Sequence, residues 1–367
     1  MLYRIRFYRI RIVLKYIFIG NMEVKMDTIT IKDVAKICGV GVSTVSRAIN
    51  NKPGINEETK NKILTVIKEN NYIPNNSARN LKRSETNNVA VLVKGINNPF
   101  FSPVITELER EIEKKKYTFI LQHVDENQDE IEVAIELEKE KRLKGIVFLG
   151  GYFSHSKDKL EKLTVPFVLS TVGMADKMKN MEYSSVAVDD VKESYKIVDY
   201  LCKLGHNKIA VLSATCDDES IGKLRFEGYK KALSDNNIEF NEKLVYYLQS
   251  GNDRYSMQSG YNAAKRLLEE KADCTAIFAI TDLIAIGACR AILENGYSIP
   301  DDYSVAGYDG LELGRFITPS LTTIRQPVEN IARETLRILF DAIDDKEESV
   351  HKVFAGELIV GESTKKL

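Results

Sequence analysis

The sequence predicts an α/β protein: a small N-terminal helix-turn-helix head followed by two doubly wound, parallel-sheet lobes. Three observations predict it. From Thr30 to about Tyr72 apolar residues recur at a helical period in three short pieces, with Gly39 between the first two. After Asn87 continuous apolar runs alternate with helical patterns, the signature of parallel strands joined by crossover helices. The formal charge is also split. Residues 26–83 carry ten Lys/Arg against five Asp/Glu, whereas residues 84–367 carry a net −11, so a basic head on an acidic body points to a polyanionic partner for the head.

The elements follow in order. Ile31, Val34, Ala35 and Cys38 form the first helical stripe, and Val42, Val45, Ala48 and Ile49 the second. Ile63, Leu64 and Ile67 mark a third helix, opened by Asn56 with Glu57 and Glu58 in its first turn, where the helix dipole favours acids. Pro74 stops that helix, and residues 75–83 read as a basic linker with weak helical potential. Strands are expected at 88–96, 117–124, 145–150, 165–170, 208–214, 276–280 and 303–309. Helices are expected at 102–116, 127–142, 190–204, 223–235, 255–270 and 282–295. Two such sets join near Asp189, and the cleft between facing lobes collects the carboxyl ends of strands, where ligands sit in such folds. The expected domains are therefore an N-terminal extension at 1–25, a helix-turn-helix domain at 26–73, a hinge at 74–86 and a two-lobed body at 87–367.

With 44% apolar and 29% charged residues, the composition is that of an ordinary globular protein. No run of about 18 uncharged apolar residues is present, so no membrane-spanning helix is expected. The five cysteines are scattered without a Cys-x-x-Cys pair, which argues against a zinc site or disulfide framework and fits the cytoplasm. His123, His155, His206 and His351 share no ligand spacing, so no metal and no cofactor is expected. Residues 1–25 read either as a signal peptide or as a start-site artefact, with translation beginning at Met22 or Met26. Arg9, Arg11 and Lys15 break the apolar run and no small-residue cleavage site follows, which favours the artefact.

Two helices joined by a glycine turn can set the second in the DNA major groove. The physics requires inward apolar residues (Val34, Ala35, Val40, Val45, Ile49) and a glycine for the turn (Gly39). It also requires short side chains at the start of the second helix (Val42, Ser43, Thr44) and a cation one to two turns later (Arg47). A helical hairpin inside a larger core shares the turn pattern. The wider sequence separates the two readings. Val34-Ala35, Gly39-Val40, Thr44-Val45-Ser46-Arg47 and Asn50, with "YIPN" at 72–75 and "ARNL" at 78–81, closely resemble the head of the lactose-repressor-type (LacI/GalR) transcription regulators. The body resembles the family throughout, at "NPFF" (98–101), "LGHNKIAVLS" (204–213), "RFEGYKKAL" (225–233), "TDLIAIGACRAI" (281–292) and "VAGYDG…PSLTTIRQP" (305–327).

The resemblance implies roles. Val42 and Ser43 would face base edges, Arg47 a base or phosphate, and Thr44, Ser46 and Asn50 phosphates. Ala78 and Leu81 match the hinge pair that enters the minor groove, Leu81 as an apolar wedge. Gly41 departs from the family's commoner serine. The partner implied is a pseudo-palindromic double-stranded operator bound by a homodimer. A tetramer is not expected, since "ELIVGESTKKL" leaves no room for a leucine-repeat helix. The body is similar in fold to periplasmic sugar-binding proteins, which implies a small effector, carbohydrate before other classes, bound between the lobes.

For that effector, Phe100 and Phe101 offer an aromatic face after the first strand, and Arg225 and Asp282 match the family's contact residues. Each has a plainer reading: one phenylalanine as core, Asp282 as a helix cap, Arg225 as a surface ion pair. Thr171 stands where many members carry a charged sugar contact, and Gly310 replaces a common acid. These departures leave open an unusual sugar, a phosphorylated sugar, a nucleobase, or a protein corepressor with the pocket unused. A solute-binding protein is disfavoured by the basic head. An enzyme is disfavoured because no phosphate-cradling Gly-Lys-Ser/Thr loop, Gly-x-Ser-x-Gly elbow or His cluster occurs.

Overall fold

Thr30 starts the head by capping α1 (Ile31–Cys38): its Oγ1 accepts from the Asp33 amide at 3.4 Å, and Asp33 Oδ2 accepts from the Thr30 amide at 2.9 Å. Gly39 ends the helix at φ +70°, a left-handed conformation open to glycine at little cost. The chain reverses at once into α2 (Val42–Ile49), and α3 (Glu57–Glu69) follows, capped by Asn56 through the Thr59 amide at 2.8 Å. Val34, Ala35 and Cys38 of α1 pack with Val45 and Ala48 of α2, Ile63 of α3 and Tyr72. The computed structural model describes residues 29–49, 52–70, 72, 87–125, 128–151, 155–173, 183–214, 220–248, 254–344 and 349–367. Its contacts divide into two units, Met1–Ser84 and Glu85–Leu367.

The second unit begins with β1 (Asn88–Lys94), α4 (Phe101–Lys114), β2 (Thr118–Val124), α5 (Glu130–Lys141), β3 (Leu143–Leu149), α6 (Lys157–Leu160), β4 (Phe167–Ser170) and β5 (Ser184–Val188). Successive residues of β1 go to opposite faces, as the period of two requires. Val89, Val91 and Val93 pack under α4, and Ala90 and Leu92 under α5. The other lobe holds α7 (Asp190–Lys203), β6 (Ile209–Ser213), α8 (Ile221–Asp235), β7 (Val245–Tyr247), α9 (Met257–Glu269), β8 (Ala276–Ala279), α10 (Asp282–Glu294), β9 (Ser304–Ala306) and the short α11 (Leu313–Phe316). Its sheet has the order β7-β6-β8-β9, all parallel.

The division of the body differs from a single join near Asp189. After β10 (Thr323–Arg325) the chain returns to the first lobe as α12 (Val328–Ile343) and β11 (His351–Phe354), and then forms β12 (Glu357–Ile359) antiparallel to β10. The first sheet thereby reads β11-β5-β4-β3-β1-β2, with every pair parallel. The physical reason is the apolar stripe of α12. Ile331, Ala332, Leu336, Ile338 and Leu339 are buried with α4 against β1, β3, β4 and β5. Burying each large aliphatic side chain is worth about 1.5–3 kcal/mol, so without α12 the β3, β4 and β5 part of the face that it shares with α4 would stay open to water.

Candidate functional site

In the head, the two faces of α2 differ. Val45 and Ala48 are buried, while Val42, Ser43 and Arg47 are exposed, and Thr44 and Ser46 are half-buried at the edges. Ser43 and Arg47, four residues apart, stand on one face. The helix therefore presents two short side chains and one guanidinium to solvent over its whole length. Asn50, Ala78 and Leu81 lie outside the described residues, as do residues 1–28.

In the body, a cavity of about 510 Å³ lies between the two sheets, within the usual range for small-molecule sites. Its lining comes from turns that follow strand carboxyl ends: residues 95–101 after β1, Asp125 after β2, Gly150 and Gly151 after β3, and Thr171 and Val172 after β4. From the other lobe come Ser220, Arg225, Arg254, Tyr255, Thr281 and Asp309, with Gln326 after β10. Phe100 and Phe101 both line it, edge to face with ring centroids 5.4 Å apart, and both are also buried in the first lobe's core. Thr171 lines it in a left-handed conformation, φ +67°, which is rare for a β-branched residue. Its amide donates to Val186 O at 2.8 Å, and its Oγ1 accepts from the Gly150 amide at 3.2 Å.

Arg225 lines the cavity from α8 and is only 2% exposed, so it is no surface pair. Its Nε donates to Asp190 Oδ1 at 2.8 Å and its Nη1 to Ile280 O at 2.7 Å, with Asp309 Oδ1 at 3.2 Å from Nη1. The guanidinium also lies 3.8 Å over the Tyr308 ring. Burial opposes its charge, but Asp309 and Asp190 raise its pKa further. Burial likewise raises Asp190, with Arg225 opposing, and pushes Asp309 up to about 6. Gln326 Nε2 donates to Asp309 Oδ1 at 2.9 Å.

Asp282 is not among the residues lining the cavity. Nor does it cap α10, a role taken by Thr281. Its Oδ1 accepts from Thr323 Oγ1 at 2.6 Å, its Oδ2 accepts from the Leu311 amide at 2.6 Å, and its own amide donates to Tyr308 O at 2.7 Å. It thus ties the 308–311 turn to α10. Burial, and then Asp309, push it up to about 8.

Three features of the cavity escaped the sequence reading. Asp309 and Gln326 both lie in the "VAGYDG…PSLTTIRQP" stretch, but no role had been assigned to them. Lys94 closes an apolar run, and a lysine ending a buried strand was the available signal. It is buried, with Nζ 2.9 Å from Glu130 Oε2 and donating to Gln128 O at 2.7 Å, and His155 Nε2 lies 3.2 Å from Glu130 Oε1. Burial works against the Glu130 charge, yet His155 and Lys94 hold it down at about 2. Among the described residues no group of three or more His, Cys, Asp or Glu is placed to hold a metal ion.

Residues 30–75 match the model of bacterial regulatory proteins, lacI family, and residues 198–364 match that of the periplasmic binding protein-like domain. The chain is 41% identical over 335 residues to the HTH-type transcriptional regulator MalR of Clostridium butyricum, covering 91% of this chain and 98% of that one. It is 33% identical over 343 residues to the HTH-type transcriptional repressor PurR of Mannheimia succiniciproducens, covering 92% and 99%. Among solved structures it is similar to the complex of the transcriptional regulator CelR with cellobiose, at TM-score 0.67 and 28% identity, covering 91% of this chain and 99% of that one. These relatives are transcriptional regulators rather than enzymes.

Proposed function

This chain belongs to the lacI family of bacterial regulatory proteins, and from that premise we propose that it is a transcriptional repressor whose hold on operator DNA is set by a small carbohydrate in the cavity between its two sheets. The observation that carries the reading is the pairing of two features in one chain: α2 exposes Val42, Ser43 and Arg47, and the body encloses about 510 Å³ at the carboxyl ends of two parallel sheets. Val42 and Ser43 read base edges and Arg47 adds a base or phosphate contact, with Thr44, Ser46 and Asn50 on phosphates. Residues 74–86 serve as the hinge, with Ala78 and Leu81 at the minor groove. The working form is a homodimer, because two copies related by a twofold axis match a pseudo-palindromic site. It acts in the cytoplasm, where the chromosome lies.

Effector contacts come from Phe100, Phe101, Thr171 and Arg225, with Asp282 holding the 308–311 turn from behind the cavity wall. A ligand that binds one lobe arrangement better than the other shifts the population and with it DNA affinity. CelR, to which this chain is similar in structure, is bound to cellobiose, a ligand of this class. Selection of a binding site from a random DNA pool, followed by titration at several salt concentrations, tests the reading. The expected result is a pseudo-palindromic site bound with a steep salt dependence. Recovery of no enriched sequence would overturn it.

A further inference from the structure

Glu193 is a carboxylate where α7 should carry an apolar side chain. It stands one and two turns before Ile197 and Leu201, on the stripe that α7 packs into the core of the second lobe, and it is 1% exposed. Carboxylates at such depth are rare unless paired. This one is only half paired. Its Oε2 accepts from the ammonium of Lys196, one turn along the helix, whereas the buried Oε1 has no hydrogen-bond partner among the described residues. Leaving that oxygen without a donor is costly. An apolar residue at 193 would serve stability better, so the charge requires another reason.

The reason lies in what Lys196 also holds: its Nζ donates to Gly356 O at 2.8 Å. Among the described residues the chain passes between the lobes three times, from β5 into α7, from β10 to α12 and from β11 to β12. Gly356 lies in the last passage. A Cβ there would stand 2.7 Å from Ile324 Cγ2 and 3.0 Å from Glu193 Oε2, so this passage runs flush against β10 and against Glu193. The first turn of α7, β10 and Gly356 thus bring the three passages together at one point. Any rotation of one lobe on the other bends these segments. We propose that Glu193 and Lys196 are positioning residues for the linkage between cavity and DNA. The carboxylate aims the ammonium at Gly356 O, and this latch favours the lobe arrangement seen here over its alternative. The unpaired Oε1 keeps that preference small, so a ligand with ordinary differential affinity for the two arrangements overcomes it. Neither residue is among those lining the cavity and neither belongs to the head, so an effect on either ligand passes through the lobes.

The proposal rests on cavity occupancy setting the hold on DNA, and the experiment separates the two. Full-length wild type, Lys196→Met, Lys196→Arg and Glu193→Leu are titrated without sugar on the selected DNA site by fluorescence anisotropy, and by calorimetry with ribose, maltose and cellobiose. Lys196 is partly exposed, so losing its bond to Gly356 O shifts the balance of arrangements by about three- to tenfold, the worth of an ordinary hydrogen bond. In a two-state body such a shift appears in the affinity for DNA, for sugar or for both, according to which arrangement each prefers. Lys196→Met and Glu193→Leu are expected to change at least one of these affinities by about threefold or more, both variants in the same direction. Lys196→Arg keeps a donor in reach and is expected to stay within about twofold of wild type. Glu193→Leu is expected to melt at or above the wild-type temperature, which separates a shifted balance from a damaged fold. If Lys196→Met and Glu193→Leu keep both affinities within about twofold of wild type, or if Glu193→Leu changes them only with a fall in melting temperature, the latch falls and the carbohydrate reading stands. If the wild type binds none of the sugars, the carbohydrate reading falls, and the DNA affinities of the variants alone decide the latch.

Discussion

Replacing Arg225 with methionine keeps most of the volume and removes the charge. The structure sets the size of the effect. Arg225 is 2% exposed and supports two buried carboxylates, Asp190 at 2.8 Å and Asp309 at 3.2 Å, besides the Ile280 carbonyl at 2.7 Å. Removing one partner of such a buried cluster costs about 3–5 kcal/mol, because the remaining charge stays buried and unpaired. At about 2–4 °C per kcal/mol for a unit of this size, the melting temperature should fall by roughly 6–20 °C near pH 8. The loss should depend on pH. Asp309 is already pushed up to about 6 by burial, so at pH 5 it is mostly protonated in the folded state with or without Arg225. A carboxyl whose folded pKa lies above its unfolded value contributes stability at low pH that is lost as pH rises through the folded value. Without Arg225 that folded value rises further, and the gap between variant and wild type widens from pH 5 to pH 8 by at least ~1.4 kcal/mol, the worth of one pKa unit. Thermal and urea unfolding at both pH values would measure it. A variant within about 2 °C of wild type at pH 8, or a gap independent of pH, would refute the reasoning.

Other consequences are simpler. Arg47→Ala should weaken specific DNA binding by about 1–3 kcal/mol if the guanidinium contacts a base, with the loss concentrated on the selected site and absent from bulk DNA; competition gel shifts would separate the two. Thr171→Gly should stabilise the body by up to about 1 kcal/mol net, since it relieves the left-handed β-branched residue but adds unfolded-state entropy; a lower urea midpoint would contradict this. Thr30→Ala should cost the head about 1 kcal/mol through the lost cap of α1, read as faster amide exchange in residues 31–38 with the body unchanged.

Elements with strong periodicity were legible. The stripes at 31–38 and 42–49 and the run from Val89 to Val93 declare a helix pair and a two-faced strand, because burial dictates their spacing. Less legible were β5, only five residues of "SSVAV", and the three-residue β7, β10 and β12, which are too short for a pattern to rise above chance. The return of α12 and β11 to the first lobe was not legible either, since an amphipathic stripe shows that a face is buried without saying against which sheet. At the cavity, Phe100, Phe101, Thr171 and Arg225 were found from their place after strands or in family motifs. Asp309 was passed over, because neither its backbone angle, φ +119°, nor the buried Oδ2 without a partner leaves a mark in composition or spacing. The placement of Asp282 behind the wall depends on partners at 311 and 323, about 30 and 40 residues away, which no local window contains.

The central claim is that occupancy of the cavity changes the grip on DNA. The most direct measurement is fluorescence anisotropy of the full-length protein on its selected DNA site, with and without the sugar that calorimetry shows to bind. Linkage of the usual size, about 1–3 kcal/mol, predicts a change in DNA affinity of roughly five- to 150-fold in one direction. An affinity that stays the same at saturating sugar, with binding of that sugar confirmed in the same sample, would contradict the account.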